Sequence, residues 1–238
     1  MKQLIGARDA MRFRVAQTGF ILAACLSIGA ALILPQTSIS SAAVQAEPDL
    51  KLLKLIKIPQ VTQHTPFHCG AAAMQSVLSY YGIEYYQEDL GKKLGTSPED
   101  GTPVNNMVSF ARAEGFDARL HHGMTRDSLQ GILDARHPVI VVIQAWAASA
   151  DSEGSKAGKV DWKNMWDSGH YVVAIGYDAD RVYFMDPLLV SSYAWIPWEE
   201  FLDRWHDQGK DGVIVRGGIE MIPDATMKFP PPDFVRMN

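Results

Sequence analysis

The segment Gln63-His64-Thr65-Pro66-Phe67-His68-Cys69-Gly70-Ala71-Ala72-Ala73-Met74 decides how the rest of the chain reads. A proline-bearing polar stretch gives way at Cys69 to a run in which Ala73, Val77, Leu78 and Tyr81 recur at helical spacing, until Gly82 closes it. Pro66 keeps the helix from starting earlier, and Gly70 permits close backbone approach. Cys69 therefore stands at a helix N-terminus, where free N–H groups and the positive end of the macrodipole favour a thiolate. Such a residue is either a buried small hydrophobe or a nucleophile, and its neighbours must decide.

A nucleophilic thiol needs a base, and the base needs an orienting partner. His170 is the informative one of seven histidines because of the hairpin that follows it. Apolar runs over His170–Tyr177 and Arg181–Asp186 read as strands separated by Asp178-Ala179-Asp180. Folding the chain back about that tripeptide sets His170 beside Pro187, one position from Asp186, within a slip of one or two residues. Gln63 lies in the loop before Cys69. Its side-chain amide, with the backbone N–H of Cys69, suits the oxyanion of an acyl-transfer intermediate.

The 238 residues carry a formal net charge of -5, are 47% hydrophobic and 21% charged, and suit one or two globular domains rather than a disordered chain. No basic surplus supports nucleic-acid binding. The two cysteines are too few for a disulfide framework or a structural zinc cluster. His64, His68 and Cys69 make a poor metal site, since Pro66 breaks the alignment and no further ligand is evident. The pair His121-His122, at a strand end, reads as solvated surface. Trp146, Trp162 and Trp166 flank the polar stretch Ala147–Ser168; they either line a cleft with that stretch as a lid or anchor a long loop by aromatic packing.

The N-terminus has a separate character. Lys2, Arg8, Arg12 and Arg14 precede the uncharged run Val15–Leu34, and Val44-Gln45-Ala46 precedes Glu47. This order fits an export signal cleaved after Ala46, an uncleaved membrane anchor, or a lipoprotein signal at Leu22-Ala23-Ala24-Cys25. All three expect residues 47–222 to form one domain outside the cytoplasm, periplasmic or extracellular, with residues 223–238 as a loosely held tail. From Glu47 onward the net charge is -8, and Cys69 is the only cysteine. Helices are predicted near Gln87–Leu94, Val104–Glu114, Thr125–Arg136 and Pro197–His206. Strands are predicted at Asp117–His122, Pro138–Ala145, Gly212–Arg216 and Ile219–Ile222. Helices first and mostly antiparallel strands later argue for an α+β fold.

These segments resemble those of the papain-like bacteriocin-processing peptidases, which cleave double-glycine leaders. Gln63 with His68-Cys69-Gly70-Ala71-Ala72 and Leu78-Ser79-Tyr80-Tyr81-Gly82 is similar to the nucleophile segment. Gly169-His170-Tyr171-Val172-Val173-Ala174-Ile175-Gly176-Tyr177 and Tyr183-Phe184-Met185-Asp186-Pro187 resemble the histidine and aspartate segments. Leu94-Gly95-Thr96 and Pro138-Val139-Ile140-Val141 match the connecting pattern. The resemblance runs from about Ile58 to Gly217. It implies a papain-like cysteine peptidase with Cys69 as nucleophile, His170 as base, Asp186 as orienter and Gln63 in the oxyanion hole. It implies no cofactor, no metal, and a peptide or protein substrate, with membrane contact only through an uncleaved N-terminal segment. This chain has His68 and Ala71 where many relatives have aspartate and proline, and it reads as a stand-alone exported member rather than part of a transporter. Transpeptidation or cell-wall peptide hydrolysis at the same site, and a retired binding module, are the alternatives.

Overall fold

The computed structural model describes residues 55–146 and 160–227. The expected signal or anchor at 1–46, the centre of the polar stretch after Trp146, and the end of the C-terminal tail lie outside the described residues.

Helix α1, Cys69–Tyr80, is the central element. Ala71, Ala72, Ala73, Met74, Val77 and Leu78 are all fully buried, so small residues let the helix lie close against the sheet on one side and its neighbouring helices on the other. Gly70 shows how tight this is. A Cβ there would stand 2.6 Å from the Thr102 side chain and 3.0 Å from the Tyr171 ring. Helices α2, Gln87–Leu94, and α3, Val104–Ala113, complete the first layer. α2 carries Glu88 and Asp89 in its first turn, Lys92 and Lys93 in its last, and ends on the left-handed Gly95, an arrangement that follows the helix dipole.

The second layer is an antiparallel sheet of six strands: β1 Phe116–His121, β2 Val139–Gln144, β3 Gly169–Tyr177, β4 Arg181–Met185, β5 Ala194–Pro197 and β8 Gly218–Pro223. Their order is β1-β8-β2-β3-β4-β5. β2 is buried at every position, as the apolar run over its first five residues predicts for all but Gln144. Helix α4, Arg126–Asp134, starts at Thr125, which serves as the cap in a reciprocal capping box with Ser128. Helix α5, Trp198–Arg204, places Trp198 and Phe201 in the core.

Several sequence expectations need correction. The last predicted helix stops at Arg204: Trp205 is fully buried, and His206 opens β6, His206–Gly209, which pairs with β7, Gly212–Val215. Strand β5 has alternating half-buried and exposed residues, too weak a pattern for so short a segment. The β3–β4 register also differs, with Val173 opposite Met185. The turn is centred on Ala179-Asp180 because Asp178 pairs with Arg181 (N to O, 3.0 Å), and the Asp178 carboxylate accepts the N–H groups of Asp180 and Arg181. A bulge between Ala174 and Gly176 then inserts one extra residue. The tail differs at its beginning, where Met227 packs on the core.

His121 is half-buried rather than solvated. Its Nε2 lies 2.8 Å from Glu220 Oε2, and His137 Nδ1 lies 2.8 Å from Glu220 Oε1. One buried carboxylate on β8 thus satisfies imidazoles from both flanks. Glu220→Ala is expected to lower stability in urea unfolding by about 2–3 kcal/mol, with Glu220→Gln retaining part of it; equal stability of all three proteins would contradict this role.

Candidate active site

Cys69 is the first residue of α1, His170 the second residue of β3, and Asp186 the first residue past β4. The packing of α1 on β3 and the pairing of β3 with β4 bring all three to one end of the sheet. His170 Nε2 lies 2.7 Å from Asp186 Oδ1, and both side chains are buried. Cys69 lies close enough to the imidazole to raise its pKa. With Nε2 engaged by the carboxylate, Nδ1 is the ring atom left for the sulfur. Carboxylate, imidazole and sulfur thus follow one another at this end of the sheet.

Burial by itself would drive His170 toward its neutral form. The hydrogen bonds to Asp186 and Cys69, and their charge, outweigh it and push the imidazole up to about 9. Asp186 is governed by the same balance. Burial would raise its carboxyl, but the His170 imidazole, the Leu188 N–H and the Trp146 indole hold it below its ordinary value. Asp186 Oδ1 accepts from Leu188 N at 2.8 Å and Oδ2 accepts from Trp146 Nε1 at 3.0 Å. Trp146 reaches it from just beyond β2 with a left-handed backbone, φ 55°. A bulky residue in that region carries strain, which this site tolerates.

Gln63 is tied to the same end of the sheet by its backbone N–H, which donates to Pro187 O at 2.9 Å. Its Nε2 donates to Thr65 O at 2.7 Å, leaving the second N–H of the amide available. Gln63, Trp146 and His170 line one depression of about 520 Å³, and Cys69 lines a neighbouring one of about 700 Å³. The two meet along Pro66, Asp167 and Gly169. The thiol thus borders one depression and the imidazole the adjoining one.

His68 turns away from these groups. Its Nδ1 lies 2.5 Å from Thr65 Oγ1, and its Nε2 end packs against Gly91 of α2. Desolvation, then the neighbouring His64, lowers its pKa. The three tryptophans divide between roles. Trp146 donates to Asp186, Trp166 lines the groove and packs on His206, and Trp162 lies beneath the Arg204 guanidinium. Sequence reasoning left Trp146 either at a cleft edge or anchoring the polar stretch, since nothing in a lone tryptophan there points to a carboxylate forty positions on. Gln87 and Gln144, both buried and hydrogen-bonded around the site, carried no signal at all.

A thiol at a helix start, an imidazole on an antiparallel strand and a carboxylate behind it define a papain-like cysteine peptidase domain. The chain belongs to the Peptidase_C39 like family, whose profile matches residues 55–213. The transport/processing ATP-binding protein ComA of Streptococcus pneumoniae (strain ATCC BAA-255 / R6) is 28% identical over 148 residues, which is 62% of this chain and 17% of that protein. The chain therefore spans a small part of the curated relatives it matches. Among solved structures, the peptidase domain of Streptococcus ComA, a bi-functional ABC transporter involved in quorum sensing, is 22% identical, with TM-score 0.50 over 71% of this chain and 99% of that one. A Bacillus anthracis protein described as C39-like is 18% identical, with TM-score 0.52 over 71% and 96%. At these identities the likeness is one of fold.

The raised His170 pKa has a consequence for stability. Its partners stabilise the fold fully below pH about 6.5, the unfolded value, and that stabilisation is lost as pH rises through about 9. In NMR titrations, Asp186→Asn is expected to move the His170 ring midpoint down toward 6.5, because the largest raising contact is gone; an unchanged midpoint would contradict the coupling.

Proposed function

We propose that this chain is a cysteine peptidase that hydrolyses peptide bonds through Cys69, His170, Asp186 and Gln63. The succession from Asp186 through His170 to Cys69 carries this reading. His170 holds its proton up to about 9, and the reacting form of the pair is imidazolium with thiolate. The thiolate attacks the carbonyl carbon, and the oxygen takes the electron pair. The Gln63 amide and the Cys69 backbone N–H stabilise that oxyanion. His170 gives its proton to the leaving amine as the C–N bond breaks, which leaves a thioester on Cys69. His170 then takes a proton from water, the hydroxide adds to the thioester, and the acid leaves as the thiolate re-forms. Asp186 holds the ring in the required orientation throughout, and the Trp146 indole holds Asp186.

The substrate groove supports a preference as well. On the Cys69 side it is lined by Glu99, Asp100, Asp167, Asp207 and Asp211, against Lys210 as the cation among the described lining residues. Lys210 is already paired with Asp100 at 3.0 Å. Asp207 is half-buried, and desolvation raises its pKa despite the N–H of Gln208 and the amide of Gln144. A groove of one sign draws segments of the other, so the preferred substrate is a peptide with Lys or Arg near the scissile bond. The N-terminal sequence supports activity outside the cytoplasm, where the unpaired Cys69 would need protection from oxidation.

Cys69→Ala is expected to abolish hydrolysis of a peptide library while leaving the circular dichroism spectrum unchanged; retained hydrolysis would remove the nucleophile. Gln63→Ala is expected to lower kcat by about 10²–10³-fold. Peptides with Lys near the cleaved bond should show higher kcat/KM than their Glu counterparts, with the gap narrowing as salt is added; a salt-independent gap, or none, would refute the electrostatic preference.

A further inference from the structure

Gln87 takes no part in the chemistry above, yet its amide is fully engaged in the wall behind it. This residue opens α2 and is 2% exposed. Its Oε1 accepts the backbone N–H of His64 at 2.7 Å, and its Nε2 donates to the backbone carbonyl of Thr62 at 3.1 Å. The two peptide groups that flank Gln63 are therefore held by one side chain. The second Nε2 hydrogen goes to Gln75 Oε1 at 3.1 Å, and Gln75 Nε2 donates to Tyr85 O at 2.8 Å. An N–H on one side and a carbonyl on the other leave the Gln87 amide only one workable orientation.

Gln75 lies on α1, the helix that begins at Cys69. A chain of amides thus runs from the nucleophile helix through Gln75 and Gln87 to the backbone on either side of Gln63. A further pin, Gln63 N to Pro187 O, comes from the segment just after Asp186. The loop has no regular secondary structure of its own over 55–64, so these side-chain bonds do the work that a strand ladder does elsewhere. An oxyanion donor is effective only when held in place before the charge develops, and a short polar loop is not rigid by itself.

We infer that Gln87 is a positioning residue for the oxyanion hole, setting the place of Gln63 relative to Cys69. The inference rests on the peptidase reading and adds a member that acts on the transition state without touching substrate. It predicts a separation between two reactions of the same sulfur. Acylation by p-nitrophenyl acetate forms the S–acyl bond and expels p-nitrophenolate through a tetrahedral oxyanion, so it needs Gln63 in place. Alkylation by iodoacetamide forms an S–CH₂ bond and expels iodide, with no oxyanion at any stage.

The test uses Gln87→Met, which keeps the length and apolar packing and removes both backbone bonds. Acylation is expected to slow by about 10- to 100-fold, with alkylation within about 2-fold of wild type. In a Gln63→Ala background the same substitution should have little further effect, since the two act as a unit. Gln75→Met, which cuts only the link to α1, should give a smaller loss in acylation alone. Wild-type acylation in Gln87→Met, equal losses in both reactions, or additive losses with Gln63→Ala would each overturn the inference. Failure of the wild-type protein to be acylated at all would instead overturn the peptidase reading, and this inference with it.

Discussion

The bond between His170 and Asp186 is the constraint on which the site depends. Both groups are nearly removed from water, and an unpaired charge in either position would be costly. The fold answers with a full set of partners: the Leu188 N–H and Trp146 indole on the carboxylate, and the Cys69 thiol on the imidazole. Each of these partners comes from a different element. The arrangement therefore requires that α1 pack closely on β3, which Gly70 and the alanines of α1 permit, and that β3 and β4 keep their register. It also requires the left-handed backbone of Trp146 just past β2. A shift in any one leaves a buried charge exposed to the rest.

Much of this was legible in the chain. The helix start at Cys69 follows from Pro66 and the spacing of Ala73, Val77 and Leu78. The β3–β4 hairpin follows from two apolar runs about a polar tripeptide, and it brings His170 toward Asp186 even when its register is misjudged by one residue. That misjudgement has a local cause: an Asp178 side chain that recentres the turn and a bulge at Ile175 that takes back part of the shift. Neither is visible in hydrophobic alternation. β5 and β6 were missed because short strands with half-buried faces lack a period. His206 was assigned to a helix because the apolar spacing of Phe201, Leu202 and Trp205 continues past the point where the backbone leaves it.

The supporting polar shell was not legible. Gln87, Gln75 and Gln144 have no sequence signature, because a buried amide is defined by the backbone groups it meets in three dimensions. Gln144 shows the same economy as Gln87. Its Nε2 donates to His206 O and Asp207 Oδ1, and its Oε1 accepts from Ser168 N, so one side chain holds the β6 start to the residues just before His170. Buried glutamines on both sides of the groove thus fix loops that carry the reactive groups. These fixings, with the acidic lining of the groove, shape the site of this chain.

The central claim is that Asp186, His170 and Cys69 act as one unit in peptide hydrolysis. Hydrolysis of a peptide library by Cys69→Ala, by His170→Ala and by the doubly substituted protein tests it directly. The account predicts that either single substitution costs about as much activity as both together. Losses that multiply in the double variant, or hydrolysis that survives removal of His170, would contradict it.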